Sequence, residues 1–170
     1  MRAHELHDLL PSEWVEVQNG EQQPWGGLAE GLEWADKERH VGIRDDDGRL
    51  VALAGLLSAP VVVAEHGEFH VVGIGGVIVT QSRRGEGMSR ALLQEALRIA
   101  ASMGPERAML FCRRELLVLY DKFGFEPITA RVTAEQPTGA VEVPLHAMWL
   151  ALASGTSWPS GDVRVLGLPF

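Results

Sequence analysis

Cysteine is almost absent: the chain has 170 residues and one cysteine, Cys112. A lone thiol closes no internal disulfide, so the fold must rest on its core. Cys112 itself reads as a small buried apolar residue rather than a nucleophile. Long apolar runs are also missing. None reaches the length of a membrane span, and Met1 to Asp8 carry acids where a secretory leader carries an apolar stretch. A cytoplasmic location with no membrane partner is the expectation. Basic residues are outnumbered, 15 Lys and Arg against 23 Asp and Glu, for a net charge of −8. That balance argues against a nucleic-acid partner. Gly-Lys-Ser and Gly-Lys-Thr do not occur, which removes the Walker loop. His4, His7, His66 and His70 have no cysteine cluster or carboxylate framework around them, so no metal site is expected.

The length suits a single domain over residues 1–170, and the 46% hydrophobic content can supply a core. Charge is unevenly spread. Residues 1–68 hold fourteen acids against five Lys or Arg, a balance of −9, whereas residues 81–114 hold seven Arg against three acids, a balance of +4. A polyanionic ligand near the basic stretch and a cationic co-substrate near the acidic half would suit this polarity. Two sets of solvated charges would look the same.

Pro11-Ser12-Glu13-Trp14 reads as a helix start, residues 18–27 as a polar loop and residues 27–37 as a second short helix. Asp45-Asp46-Asp47-Gly48 is a hairpin turn between His40–Arg44 and Leu50–Leu57. A third strand runs from about Phe69 to Thr80, completing a meander. Pro60 is expected to interrupt the middle strand before Val61-Val62-Val63. Gly73, Gly75 and Gly76 inside the third strand signal a bulge or a close approach by another backbone. Met88, Leu92, Ala96, Ile99 and Met103 then recur at spacings of three and four, which makes a helix over about 86–102. A buried strand over 107–112, a shorter helix around Leu116–Phe123 and a last strand over about 141–152, bent at Pro144, complete the pattern. The tail, about 153–170, reads as loop. The order implies an α+β fold with helices on both faces of a mixed sheet.

The strand end at Val79-Thr80 is followed by Gln81-Ser82-Arg83-Arg84-Gly85-Glu86-Gly87-Met88-Ser89 and then the long helix. A helix start offers unpaired N–H groups and a dipole that favours anions. Gly85 and Gly87 let a bulky ligand approach the backbone, and Arg83 and Arg84 add charge for phosphate oxygens. The dinucleotide pattern would need a glycine where Arg90 stands.

On these residues the chain resembles the GNAT superfamily of N-acetyltransferases. Arg84, Gly87 and Ser89 fill the family's Arg/Gln-x-x-Gly-x-Gly/Ala signature, with Ser89 departing from the usual Gly or Ala. About thirty residues on, Tyr120-Asp121-Lys122-Phe123-Gly124-Phe125 looks like the family's Tyr-x-x-x-Gly-Phe segment. The resemblance covers about residues 38–150. It implies a mostly antiparallel central sheet of six to seven strands with helices on both faces, and acetyl-coenzyme A as co-substrate with no metal.

The resemblance also implies site roles. Val77, Ile78 and Val79 would pair with the pantetheine arm, while Arg84, Gly85, Glu86, Gly87, Met88 and Ser89 would hold the pyrophosphate. Tyr120 occupies the place of the general acid that protonates the departing thiolate. Many relatives keep a Glu as base in the middle of the strand that carries Gly73, where this chain has only Val and Gly. His70 is the base candidate nearest in sequence, by its ordinary pKa, and some relatives use a C-terminal carboxylate, which Phe170 would supply. The expected acceptor is a primary amine on a small molecule. An aminoglycoside 2′-acetyltransferase, an enzyme that acetylates proteins, and a non-catalytic acyl-coenzyme A sensor are the alternatives. Trp149 and Trp158 are candidates either for a homodimer interface or for cover over the chain's own core.

Overall fold

The structure is a computed structural model and describes residues 2–18 and 27–170. The predicted loop over 18–27 lies almost wholly outside the described residues. The chain runs through β1 (His4–Leu6), α1 (Pro11–Gln18), β2 (Arg39–Arg44), β3 (Leu50–Val63), β4 (Gly67–Val79), α2 (Met88–Ala100), β5 (Arg107–Cys112), α3 (Leu117–Asp121), β6 (Glu126–Pro127), β7 (Val132–Ala134), β8 (Val141–Glu142), β9 (His146–Ala151) and β10 (Val163–Val165). Ten strands form one sheet with the path β6-β9-β5-β4-β3-β10-β7-β8, and β1 and β2 branch from β3. Pairing is antiparallel except at β4–β5 and β10–β7. This is the mixed, mostly antiparallel α+β sheet that the sequence implies, with three or four more strands than expected.

Alternation along the strands sets the two faces. Ala52, Ala54 and Leu56 of β3, with Val72 and Ile74 of β4, pack with Leu92, Leu93, Ala96 and Ile99 of α2 and with Tyr120 of α3. Leu53 and Ile78 turn the other way and pack with Val17 of α1. Helices therefore cover both faces. The buried Thr80 hydroxyl donates to the Val17 carbonyl over 2.9 Å, tying the end of α1 to the end of β4. Thr80→Val keeps the shape and strands that carbonyl, so it should cost about 1–3 kcal/mol, read as a fall in the urea midpoint with an unchanged m-value.

Four expectations are corrected. Residues 27–37 form one 3-10 turn at Gly27–Ala29, a further turn at 30–31, and no regular structure over 32–37. Gly31 adopts φ +85°, and the segment beyond it is engaged elsewhere, with the Ala35 N–H donating to the Pro169 carbonyl and the Glu38 N–H to Leu56. Pro60 does not interrupt β3, which pairs straight through it in register with His70. The Pro60 carbonyl accepts from Leu166 just past β10, so its missing N–H falls on that side, where the neighbouring strand ends. The last strand is two strands: β8 pairs with β7, while β9 pairs with β5 and β6. The tail contains β10, inserted between β3 and β7.

Candidate functional site

β4 and β5 pair in parallel only over Val72–Ile74 and Ala108–Leu110. Beyond Ile74, β4 continues to Val79 with β3 on one side and, among the described residues, no strand on the other. An opening therefore exists inside the sheet, with a main-chain edge from Gly75 to Val79 that no strand among the described residues pairs. Such an edge is a template for an extended ligand. A bulge stands at its start, where the register with β3 shifts between Leu53 and Gly55 and Gly76 adopts φ +60°. The glycine cluster thus does what its residue type predicted.

The edge leads to the turn before α2. Gly85 and Gly87 both have positive φ, and nothing lies within 4 Å of where a Cβ would stand on either. Gly87 caps α2 in the left-handed region. Its carbonyl accepts from Arg90, whereas the N–H groups of Glu86, Met88 and Ser89 have no main-chain acceptor among the described residues. The cradle therefore fits an anion. Its arginines are arranged unequally. Arg84 turns back so that its Nε donates to the Val79 carbonyl over 3.0 Å. Arg83 makes a two-point ion pair with Glu86, both bonds 2.9 Å, which holds the Glu86 carboxyl below its ordinary pKa.

Tyr120 is buried in the cluster that also holds Ile74, Met88 and Cys112, with Val77 and Val79 packed against it. Its ring meets Phe125 edge-on, centroids 5.9 Å apart. Burial, aided by the Cys112 charge, pushes its pKa well above the ordinary phenol value, so it keeps its proton across the working range. Cys112 is buried, and burial followed by the Glu115 charge pushes its thiol up to about 11. Because the folded-state value exceeds the ordinary 9.0, the stability linked to this group is complete below pH 9 and is lost as pH rises toward 11. Stability should fall by up to about 2–3 kcal/mol across that window, and Cys112→Ala should flatten the decline in an alkaline melting series.

The far face of β4 is covered by groups that sequence reading did not assemble. A Cβ on Gly73 would stand 2.6 Å from the Phe170 ring, and one on Gly75 would stand 2.4 Å from the Phe170 main-chain carbon. The Lys37 side chain runs over Gly55 and reaches Gly75 with its Cε, while the Trp14 ring lies over Gly76. The glycines signalled a close approach, but nothing local named the approaching segments.

The structure brings together Val77, Ile78, Val79, the Arg84–Ser89 cradle and Tyr120. It does not bring His70 to them. His70 is exposed, pairs opposite Pro60 and holds the Ser58 hydroxyl at 2.9 Å through Nδ1. Seven residues of strand, about 23 Å, separate it from Val77. Trp149 and Trp158 pack on each other within one chain, centroids 5.6 Å apart. Among the described residues no group of three or more His, Cys, Asp or Glu could hold a metal ion, and no helix is long and apolar enough to cross a membrane.

Residues 14–128 match the family model described as an acetyltransferase (GNAT) domain. The chain belongs to the GNAT acetyltransferases. That family takes its acyl group from acetyl-coenzyme A and needs no metal. No curated protein sequence matches this GNAT chain. Solved structures share its fold. A GNAT N-acetyltransferase (YhbS) of Escherichia coli, in complex with CoA, is 18% identical with a TM-score of 0.63, covering 99% of this chain and 96% of that one. A GNAT acetyltransferase of Brucella melitensis, in complex with acetyl-CoA, is 21% identical with a TM-score of 0.59, covering 95% and 94%. A phosphinothricin acetyltransferase of Sinorhizobium meliloti is 16% identical with a TM-score of 0.60, covering 94% of each chain.

Proposed function

We propose that the protein transfers acetyl from acetyl-coenzyme A directly to a primary amine of a small molecule. The observation that carries this reading is the unpaired β4 edge leading straight into the Gly85–Ser89 cradle. Pantetheine lies along the edge of Val77, Ile78 and Val79 as an added strand, and the pyrophosphate takes the N–H groups of Glu86, Gly87, Met88 and Ser89. Arg84 and Gly85 shape the turn that delivers them. An N–H near Ile78 faces the thioester oxygen, where negative charge develops as the amine adds. Tyr120, protonated and buried in the cluster against which Val77 and Val79 pack, gives its proton to the departing thiolate.

The amine must lose a proton on the other side of the reacting carbon. Around Gly73 the strand carries no acid, and the Phe170 ring lies against that glycine. His70 stands too far along β4 for a direct part in that step. The test is calorimetric titration with acetyl-coenzyme A, followed by an amine panel scored for release of free thiol. Binding with turnover of at least one amine supports the reading. Binding without any turnover favours the sensor alternative, and absence of binding overturns both.

A further inference from the structure

We propose that Arg83 and Glu86 form an exchangeable latch on the donor site: Glu86 holds Arg83 in the free protein, Arg83 passes to the pyrophosphate as the donor binds, and Glu86 thereby sets how tightly acetyl-coenzyme A is held and how readily coenzyme A leaves. This rests on the acetyl-transfer reading and adds to it the pair that tunes donor affinity.

Positive charge is scarce where the pyrophosphate lies. The turn from Gln81 to Ser89 carries two arginines and one acid, and both guanidinium groups are engaged in the free protein. Arg84 gives its Nε to the Val79 carbonyl, which ties the turn to the end of β4. Arg83 gives Nε to one carboxylate oxygen of Glu86 and Nη2 to the other. Asp45 and Asp46, in the turn between β2 and β3, add a weaker attraction on the same guanidinium. The charge best placed to meet a phosphate is therefore held by the protein's own acids. Glu86 also owns one of the N–H groups of the cradle, so its carboxylate stands at the border of the ligand.

This pair is suited to exchange. The Arg83 side chain is 26% exposed and that of Glu86 44%, and an ion pair so open to water is weak. A pyrophosphate carries more charge than a carboxylate and accepts the same forked pair of hydrogen bonds. Between the partners, Gly85 has nothing within 4 Å of where its Cβ would stand, so the space beside the turn is clear. Once Arg83 has moved, Glu86 faces a polyanion, and the dipole of α2 does not favour two anions equally at one helix start. Donor binding thus includes the loss of one ion pair and the gain of one like-charge contact. Both weaken binding, and both speed the departure of coenzyme A after transfer, a step that limits many enzymes.

The experiment titrates coenzyme A calorimetrically into the wild type, Arg83→Gln, Glu86→Gln and the double variant. Both side chains meet solvent, so neither change touches the core. Glu86→Gln should tighten binding about threefold to tenfold. Arg83→Gln should weaken binding in both backgrounds, and by the larger factor when combined with Glu86→Gln, because Arg83 then has no carboxylate to leave. Equal or weaker binding in Glu86→Gln overturns the proposal. So does an Arg83→Gln loss that is equal in the two backgrounds or larger in the wild type, which would make Arg83 a fixed shield over Glu86. If coenzyme A binds none of the four proteins, the acetyl-transfer reading has failed and the latch with it; if it binds and the coupling has the wrong sign, only the latch falls.

Discussion

Tyr120→Phe should lower kcat about a hundredfold or more, while acetyl-coenzyme A affinity stays within about twofold. The phenol ring would remain in its cluster with Ile74, Met88 and Cys112, and the edge-on contact with Phe125 needs no hydroxyl. Only the proton is removed. Stopped-flow detection of free thiol separates the step from binding, and a thioester with a more acidic leaving thiol should recover much of the lost rate, because a better leaving group needs less help from an acid. The raised Tyr120 pKa adds a pH signature. The phenol stays protonated well past neutrality, so an alkaline loss of kcat below about pH 10 would have to come from another group. An unchanged kcat in the phenylalanine variant would remove Tyr120 from the mechanism.

Gly73→Ala should be a damaging small substitution in the sheet. Three Phe170 ring carbons lie 2.6 to 2.9 Å from the new Cβ, and the ring is buried against Phe111 at a centroid distance of 5.2 Å. The clash cannot be relieved by a rotamer change alone, because Phe170 is 2% exposed. Overpacking of this kind costs about 1–3 kcal/mol. Phe170→Ala alone should cost about 3–5 kcal/mol. In the double variant the Gly73→Ala penalty should vanish, a coupling that denaturant midpoints in a four-protein cycle would reveal. Additive losses would mean that ring and glycine do not touch.

The physical range of each signal explains what the sequence made legible. Met88 to Ala100 repeats with helical period, and the Asp45–Gly48 turn fixes its own hairpin, so both could be read within a dozen residues. The Arg84–Ser89 cradle is local in the same sense. β10 is not: Val163-Arg164-Val165 is three residues set among glycine and proline, and its strand character comes from Val61–Val63 a hundred residues earlier. The helix expected over 27–37 failed for a related reason. Ala35 and Lys37 answer to Pro169 and to the glycines of β3 and β4, and those tertiary partners outweigh weak helical periodicity. Lys37 therefore looked like one charge among many solvated ones.

The insertion of β10 bears on the order of assembly. The β7–β8 hairpin joins the sheet only through β10, and β10 comes after every strand it bridges. During synthesis the meander of β2, β3 and β4 can collapse while later segments are still being made, but the hairpin has no place to dock until residues 163–165 emerge and pair with β3. Pairings this distant in sequence are slow to form. The flank of β3 beyond Pro60 thus stays open during that interval, and it is the place where a newly made chain is most exposed to association with another copy of itself.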